Sequence, residues 1–297
     1  MVQNVALVLG AGGSAGQAWQ VGVIAGLAEA GLDLTGAADL VIGTSSGSTT
    51  AVWVRSGVPA AELLAKVLAE PSGRRPSPPP QPTALFERMR AIGAAATSAA
   101  DLQRAMGAFG LESDPLLGPE VAEQRRAMVA ARLPRHDWPE RPMILVALDA
   151  HTGEVVAFDR DSGVELVDAA TAAIALPGGA PTHAINGKRY INGGVRSADN
   201  ADLAAGYANV VVLTPFSERR GPLPDGQFEG LRRFPGTDLA SQVEGLRARG
   251  SHVEVITPDA ESRAAMGINQ MDPATRIPSA QAGFTQGRRE AGRLTFR

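Results

Sequence analysis

The chain has 297 residues, of which 44% are hydrophobic and 20% charged, enough apolar material for a large buried core and a composition that excludes disorder as the dominant state. A net charge of -3 supplies no basic footprint for nucleic acid and no electrostatic pull toward an anionic membrane surface. There is no cysteine, which removes disulfides, thiol nucleophiles and sulfur-ligated metals, and His136, His151, His183 and His252 include no i, i+4 pair, so neither a metal nor a cofactor is expected.

Met1 to Leu9 lacks a basic n-region and runs straight into a glycine-rich turn, unlike a signal peptide, so a cytoplasmic location is the default expectation. The longest apolar candidate for a membrane span is interrupted by Glu29 and Asp33. Val5 to Leu9 reads as a buried parallel strand, followed by a Gly-rich loop and an apolar-rich helix over Gln17 to Ala30 closed by Gly31. Strand, loop and helix repeat at Leu40 to Ile42 and on to about Arg55.

Pro71 to Pro82, with Pro76-Ser77-Pro78-Pro79-Pro80 inside it, is expected to run extended as a linker, since proline breaks both helix and central strand. The following Thr83 to Ala108 reads as helical, and both a lid over an apolar site and an ordinary packed excursion fit it. Further strands are expected at Met143 to Leu148, Val155 to Phe158, Val210 to Leu213 and Val253 to Ile256. This alternation predicts an α/β fold with a mostly parallel sheet covered by helices on both faces. Residues 1–297 are expected to form one domain, with the proline-rich linker and helical insertion around 71–110.

Two glycine motifs sit at the carboxyl ends of the first two strands, where α/β proteins place their ligands. Gly10-Ala11-Gly12-Gly13-Ser14-Ala15-Gly16 can turn backbone N–H groups toward an anion. As a dinucleotide fingerprint it would use Gly10, Gly12 and Ala15 with an acidic residue ending the second strand, but the nearest candidate, Asp33, precedes that strand. As an oxyanion hole it would set the amides of Gly12 and Gly13 beside Gly43-Thr44-Ser45-Ser46-Gly47, which reads as a nucleophile elbow with Ser45 as the nucleophile. A base is then required. An α/β-hydrolase order would allow Asp149 or Asp159 with His183 or His252, none in a distinctive context.

A third segment, Tyr190-Ile191-Asn192-Gly193-Gly194-Val195 followed by Asn200-Ala201-Asp202-Leu203, completes an ordered set of motifs from Val5 to about Leu213 that resembles the patatin-like phospholipases. Ala172-Ala173-Ile174-Ala175-Leu176-Pro177 and Asn186-Gly187-Lys188-Arg189-Tyr190 resemble the helix end and hairpin that lead to the late turn in that family. The resemblance implies a three-layer α/β/α sandwich and a serine and aspartate dyad without histidine, carried by Ser45 and position 192. It assigns the oxyanion loop to the amides of Gly12, Gly13 and Ser14. The implied partner is an acyl ester, lipid or acylated metabolite, with transient membrane contact and oligomeric state left open. Hydrolysis is the expected outcome; transfer to an alcohol or amine, or binding of an acyl ligand without turnover, are the alternatives.

Two positions depart from the family pattern. Ala15 stands where many members carry a basic residue. Asn192 stands where the catalytic aspartate is expected, and a neutral amide is far too weak a base to take the Ser45 proton. A deliberate ligand-trapping substitution, a natural binding variant and a different base all fit Asn192. The first two leave the chain as written impaired as a hydrolase. Asn192-Gly193 is also a deamidation-prone pair that would regenerate aspartate.

Overall fold

The computed structural model describes residues 4–70, 83–216 and 233–294. The proline-rich stretch expected to be extended, Pro71 to Pro82, lies outside them. From the amino end come β1 (Val5–Leu9), α1 (Gly13–Glu29), α2 (Leu34–Ala37), β2 (Leu40–Thr44), α3 (Ser46–Val54) and α4 (Ala60–Leu68). The insertion forms α5 (Thr83–Ala95), α6 (Ala99–Leu117) and α7 (Pro119–Arg132). Then follow β3 (Met143–Asp149), β4 (Val155–Phe158), α8 (Leu166–Ala173), β5 (His183–Ile185), β6 (Lys188–Asn192) and β7 (Asn209–Leu213). The chain closes with α9 (Leu239–Ala248), β8 (His252–Ile256), α10 (Ala260–Met266) and α11 (Arg276–Glu290).

All six expected strands are present within a residue or two, and α1 begins four residues before Gln17, immediately after the glycine loop. The region read as helical over Thr83 to Ala108 is helical and is divided between α5 and α6. Ser98 accepts a hydrogen bond from Asp101 N and caps a new helix, which ends the first at Ala95.

Among the described residues the sheet has eight strands in the hydrogen-bonded order β5-β6-β3-β2-β1-β7-β8, with β4 joined to β3. β3, β2, β1, β7 and β8 are parallel, while β4, β5 and β6 are antiparallel additions at one end. β1, and β7 after Asn209, are apolar because both of their faces are covered. Val5, Leu7 and Leu9 join a core with Trp19, Ile24, Leu27, Val52, Leu63 and Leu166 from the helices of one layer. Ala6 and Val8 point the other way, into a core with Ile42, Val210, Val212, Val243 and Leu246, where α9 covers the sheet. Period-two alternation thus feeds two helical layers from one set of strands.

α1 and α11 approach almost to backbone contact. A methyl group at Gly22 or Gly26 would collide with the carbonyl oxygens of Ala280 and Phe284, and one at Gly283 or Gly287 with those of Trp19 and Val23. Gln286, on the same face of α11, accepts from the Trp19 indole at 3.0 Å and donates to Thr257 O at 2.7 Å. The carboxyl-terminal helix is thereby locked against the helix that begins at the glycine loop.

Candidate active site

Strand register explains how two motifs 147 residues apart meet. Val146 of β3 pairs with Thr44 of β2 on one edge and with Ala157 of β4 on the other. Ala147 pairs with Val156 of β4 and with Asn192 of β6, so β6 lies on the same edge as β2. β2 runs parallel to β3 and β6 runs antiparallel to it. The two therefore occupy successive lengths of one edge and abut at their carboxyl ends, bringing Ser45 and Asn192 together.

The elbow at Ser45 is tight. Ser45 has φ 55 and ψ -125, a region costly for a residue with a side chain, of order 1–3 kcal/mol. The glycines on either side are there for space: a Cβ on Gly43 would lie 2.5 Å from Ser48 Cα, and one on Gly47 would run into Leu9 O. Ser48 N donates to Ser45 O and Ser48 Oγ to Gly43 O, both at 2.9 Å, which closes the turn.

Asn192 is nine-tenths buried, and both ends of its amide are engaged. Gly194 N donates to Oδ1 at 2.7 Å, which orients the amide and leaves Nδ2 to donate to Ser45 Oγ at 2.9 Å. Its own backbone N donates to Ala175 O at 2.8 Å. The serine oxygen is thus an acceptor in this contact, and its proton is directed elsewhere.

Residues absent from the sequence-based site hold this junction. Asn200 is fully buried at φ 51 and donates through Nδ2 to Thr44 Oγ1, Ser197 O and Gly193 O at 3.0, 3.0 and 3.4 Å, tying the residue before Ser45 to the residue after Asn192. Arg233 reaches the carbonyl oxygens of Gly194, Val195 and Arg196, each at 3.1 Å. Burial pushes its guanidinium below the usual range while Asp199 supports the charge. The motif that contains Asn200 was visible in sequence, but Arg233 carries no local signature.

The glycine loop lies beside the elbow. Gly10 O accepts from Gln20 Nε2 at 2.8 Å, and Gln20 Oε1 accepts from Thr50 Oγ1 of α3 at 2.9 Å. Gly12 is buried, and its N–H donates to Ser46 Oγ at 2.9 Å. Gly13 and Ser14 are partly exposed in the first turn of α1, whose N–H groups have no intrahelical acceptor. Gly13 takes a positive φ of 61.

The alternative groups are engaged elsewhere. His183 Nε2 contacts Asp168 Oδ1 at 2.9 Å, and His252 Nε2 contacts Glu254 Oε1 at 2.9 Å. Asp149 Oδ1 accepts from the backbone of His151 and Thr152, and Asp159 Oδ1 from Asp161 N and Ser162 Oγ. Asp33 caps α2 through Thr35 N and does not close the second strand, contrary to the dinucleotide pattern. Among the described residues no group of three or more His, Asp or Glu side chains is placed to hold a metal ion, and no helix is long and apolar enough to cross a membrane.

A strained serine elbow and a glycine loop at the carboxyl edge of a mostly parallel sheet define an α/β protein of the serine-elbow class. The family model for patatin-like phospholipases matches residues 7–205, about two thirds of the chain. The chain belongs to that family, one of lipid acyl hydrolases. No curated protein matches it.

Proposed function

We propose that this site is built for acyl transfer from a lipid or other acyl ester, with Ser45 as nucleophile and position 192 as the place of its base. Ser45 Oγ attacks the ester carbonyl carbon, the N–H groups of Gly13 and Ser14 stabilise the resulting oxyanion, and Gly12 braces the loop through Ser46. A carboxylate at position 192 accepts the serine proton and returns it to the departing alcohol, leaving an acyl-enzyme. Water then releases the acid; an alcohol or amine acceptor gives acyl transfer by the same route.

The observation that carries this reading is the 2.9 Å contact between Asn192 and Ser45 Oγ. With asparagine in place the partner is a donor that cannot hold a proton, so the chain as written is strongly impaired in turnover. The same polarity favours a second reading, an acyl-ligand-binding protein that retains the site without the chemistry.

Asn192→Asp separates the two. The acyl-transfer reading expects short acyl esters to be hydrolysed by the variant and a fluorophosphonate to label Ser45. A folded Asn192→Asp protein with neither activity nor labelling would sink it.

A further inference from the structure

The family match ends at residue 205, yet the glycine loop is held from α11, far beyond it. Arg276, the first residue of α11, has a side chain only 12% exposed. Its Nε and Nη2 form a two-bond pair with Glu70 at 2.7 and 2.8 Å, just after α4. Nη1 donates to Ser14 O at 3.1 Å, Ser14 Oγ at 3.3 Å and Gln17 Oε1 at 3.0 Å. Gln17 Nε2 in turn donates to Thr49 Oγ1 at 3.1 Å, and Thr49 Oγ1 to Ser46 O at 2.7 Å, which carries the connection into α3 behind the serine.

One peptide is gripped at both ends. The carbonyl of the Ser14–Ala15 peptide accepts from Arg276, and its N–H donates to Gln270 O at 2.9 Å. With that plane fixed from residues 270 and 276, the two preceding N–H groups, of Gly13 and Ser14, have little freedom to rotate.

We infer that Arg276 is a positioning residue for acyl transfer: it sets the glycine loop in the orientation that receives the oxyanion, acting through the Ser14 carbonyl and braced on Glu70. This rests on the acyl-transfer reading of the site. A fork that is bidentate on Glu70 while its remaining nitrogen serves Ser14 and Gln17 is a task for guanidinium; a lysine ammonium can serve one side or the other.

The test uses the full chain carrying Asn192→Asp, with p-nitrophenyl butyrate as the probe. Adding Arg276→Ala is expected to lower kcat by about 10- to 100-fold with KM within about twofold, because a misdirected oxyanion donor is missed mainly in the transition state. Arg276→Lys falls between the two. Should Arg276→Ala fail to fold, Glu70→Ala, which removes only the brace, is expected to lower kcat in the same direction by about 3- to 10-fold. An unchanged kcat with a lowered melting temperature would reduce Arg276 to a structural brace and overturn the inference. So would a raised KM at constant kcat, which marks substrate binding. An Asn192→Asp chain that is itself inactive brings down the acyl-transfer reading, and this inference with it.

Discussion

Asn192 Nδ2 donates to Ser45 Oγ across 2.9 Å while Gly194 N donates to Asn192 Oδ1, so the amide meets the serine with the polarity opposite to that of a base. A carboxylate of the same shape would keep the Gly194 bond and turn an acceptor toward the serine. Asn192→Asp is therefore expected to raise ester hydrolysis by about 10⁴-fold or more, the size of the loss on removing a triad aspartate elsewhere. Steady-state hydrolysis of short acyl esters measures the gain, and Ser45→Ala in the same background should abolish it.

Deamidation should not activate the folded chain. Two hydrogen bonds, at Oδ1 and Nδ2, hold the Asn192 side chain and a third, from its backbone N to Ala175 O, holds the main chain, whereas attack by Gly193 N on the side-chain carbonyl carbon needs the side chain to swing free. Peptide mapping after prolonged incubation should find asparagine in native protein and aspartate or isoaspartate in urea-unfolded protein. Equal rates in the two states would contradict this.

Glycine-to-alanine changes should have opposite signs at two helical positions. Gly26 on α1 faces the Phe284 carbonyl without room for a methyl, so Gly26→Ala is expected to destabilise by about 2 kcal/mol or more despite better helix propensity. Gly245 on α9 has only the flexible Arg249 guanidinium near its added Cβ, at 3.7 Å, and Gly245→Ala is expected to stabilise by about 0.5–1 kcal/mol. Urea unfolding curves compare them directly.

Stability should fall on mild acidification because of His183. Burial pushes its imidazole below the ordinary value, against the pull of Asp168 and with help from the nearby charges of Arg126 and Arg125. The unfolded chain takes up this proton near pH 6.5 while the folded chain resists it, so the stabilisation is present above about pH 6.5 and is lost as pH falls. Asp168 adds a loss at lower pH: burial pushes its carboxyl up, but the hydrogen bonds from Arg126 and His183 outweigh that and hold it below the usual range. His183→Gln is expected to flatten the change in urea midpoint between pH 7.5 and 5.5; an unaltered slope would assign the effect to other groups.

Much of the scaffold was legible in the chain, because parallel strands buried on both faces leave continuous apolar runs such as Val5 to Leu9 and Val210 to Leu213. The elbow was legible for a local reason. Gly43 and Gly47 are required by contacts within a few residues of Ser45 or with the adjoining strand end at Leu9, so the constraint is written as a short motif. The split of the insertion at Ser98 was less visible, since an alanine-rich stretch carries the same helical signal on both sides of a cap.

By itself the sequence determined the α/β alternation, the serine elbow motif, the glycine loop and the presence of an amide at position 192. Only the tertiary structure decided which way that amide faces, because its orientation depends on the Gly194 N–H and on β2 and β6 abutting along one edge of β3. It alone also brought Arg233 and Arg276 to the site, since long cationic side chains act at points far away in sequence and leave no local pattern. Composition and periodicity record what each segment buries; hydrogen-bond polarity is set by what the fold places opposite.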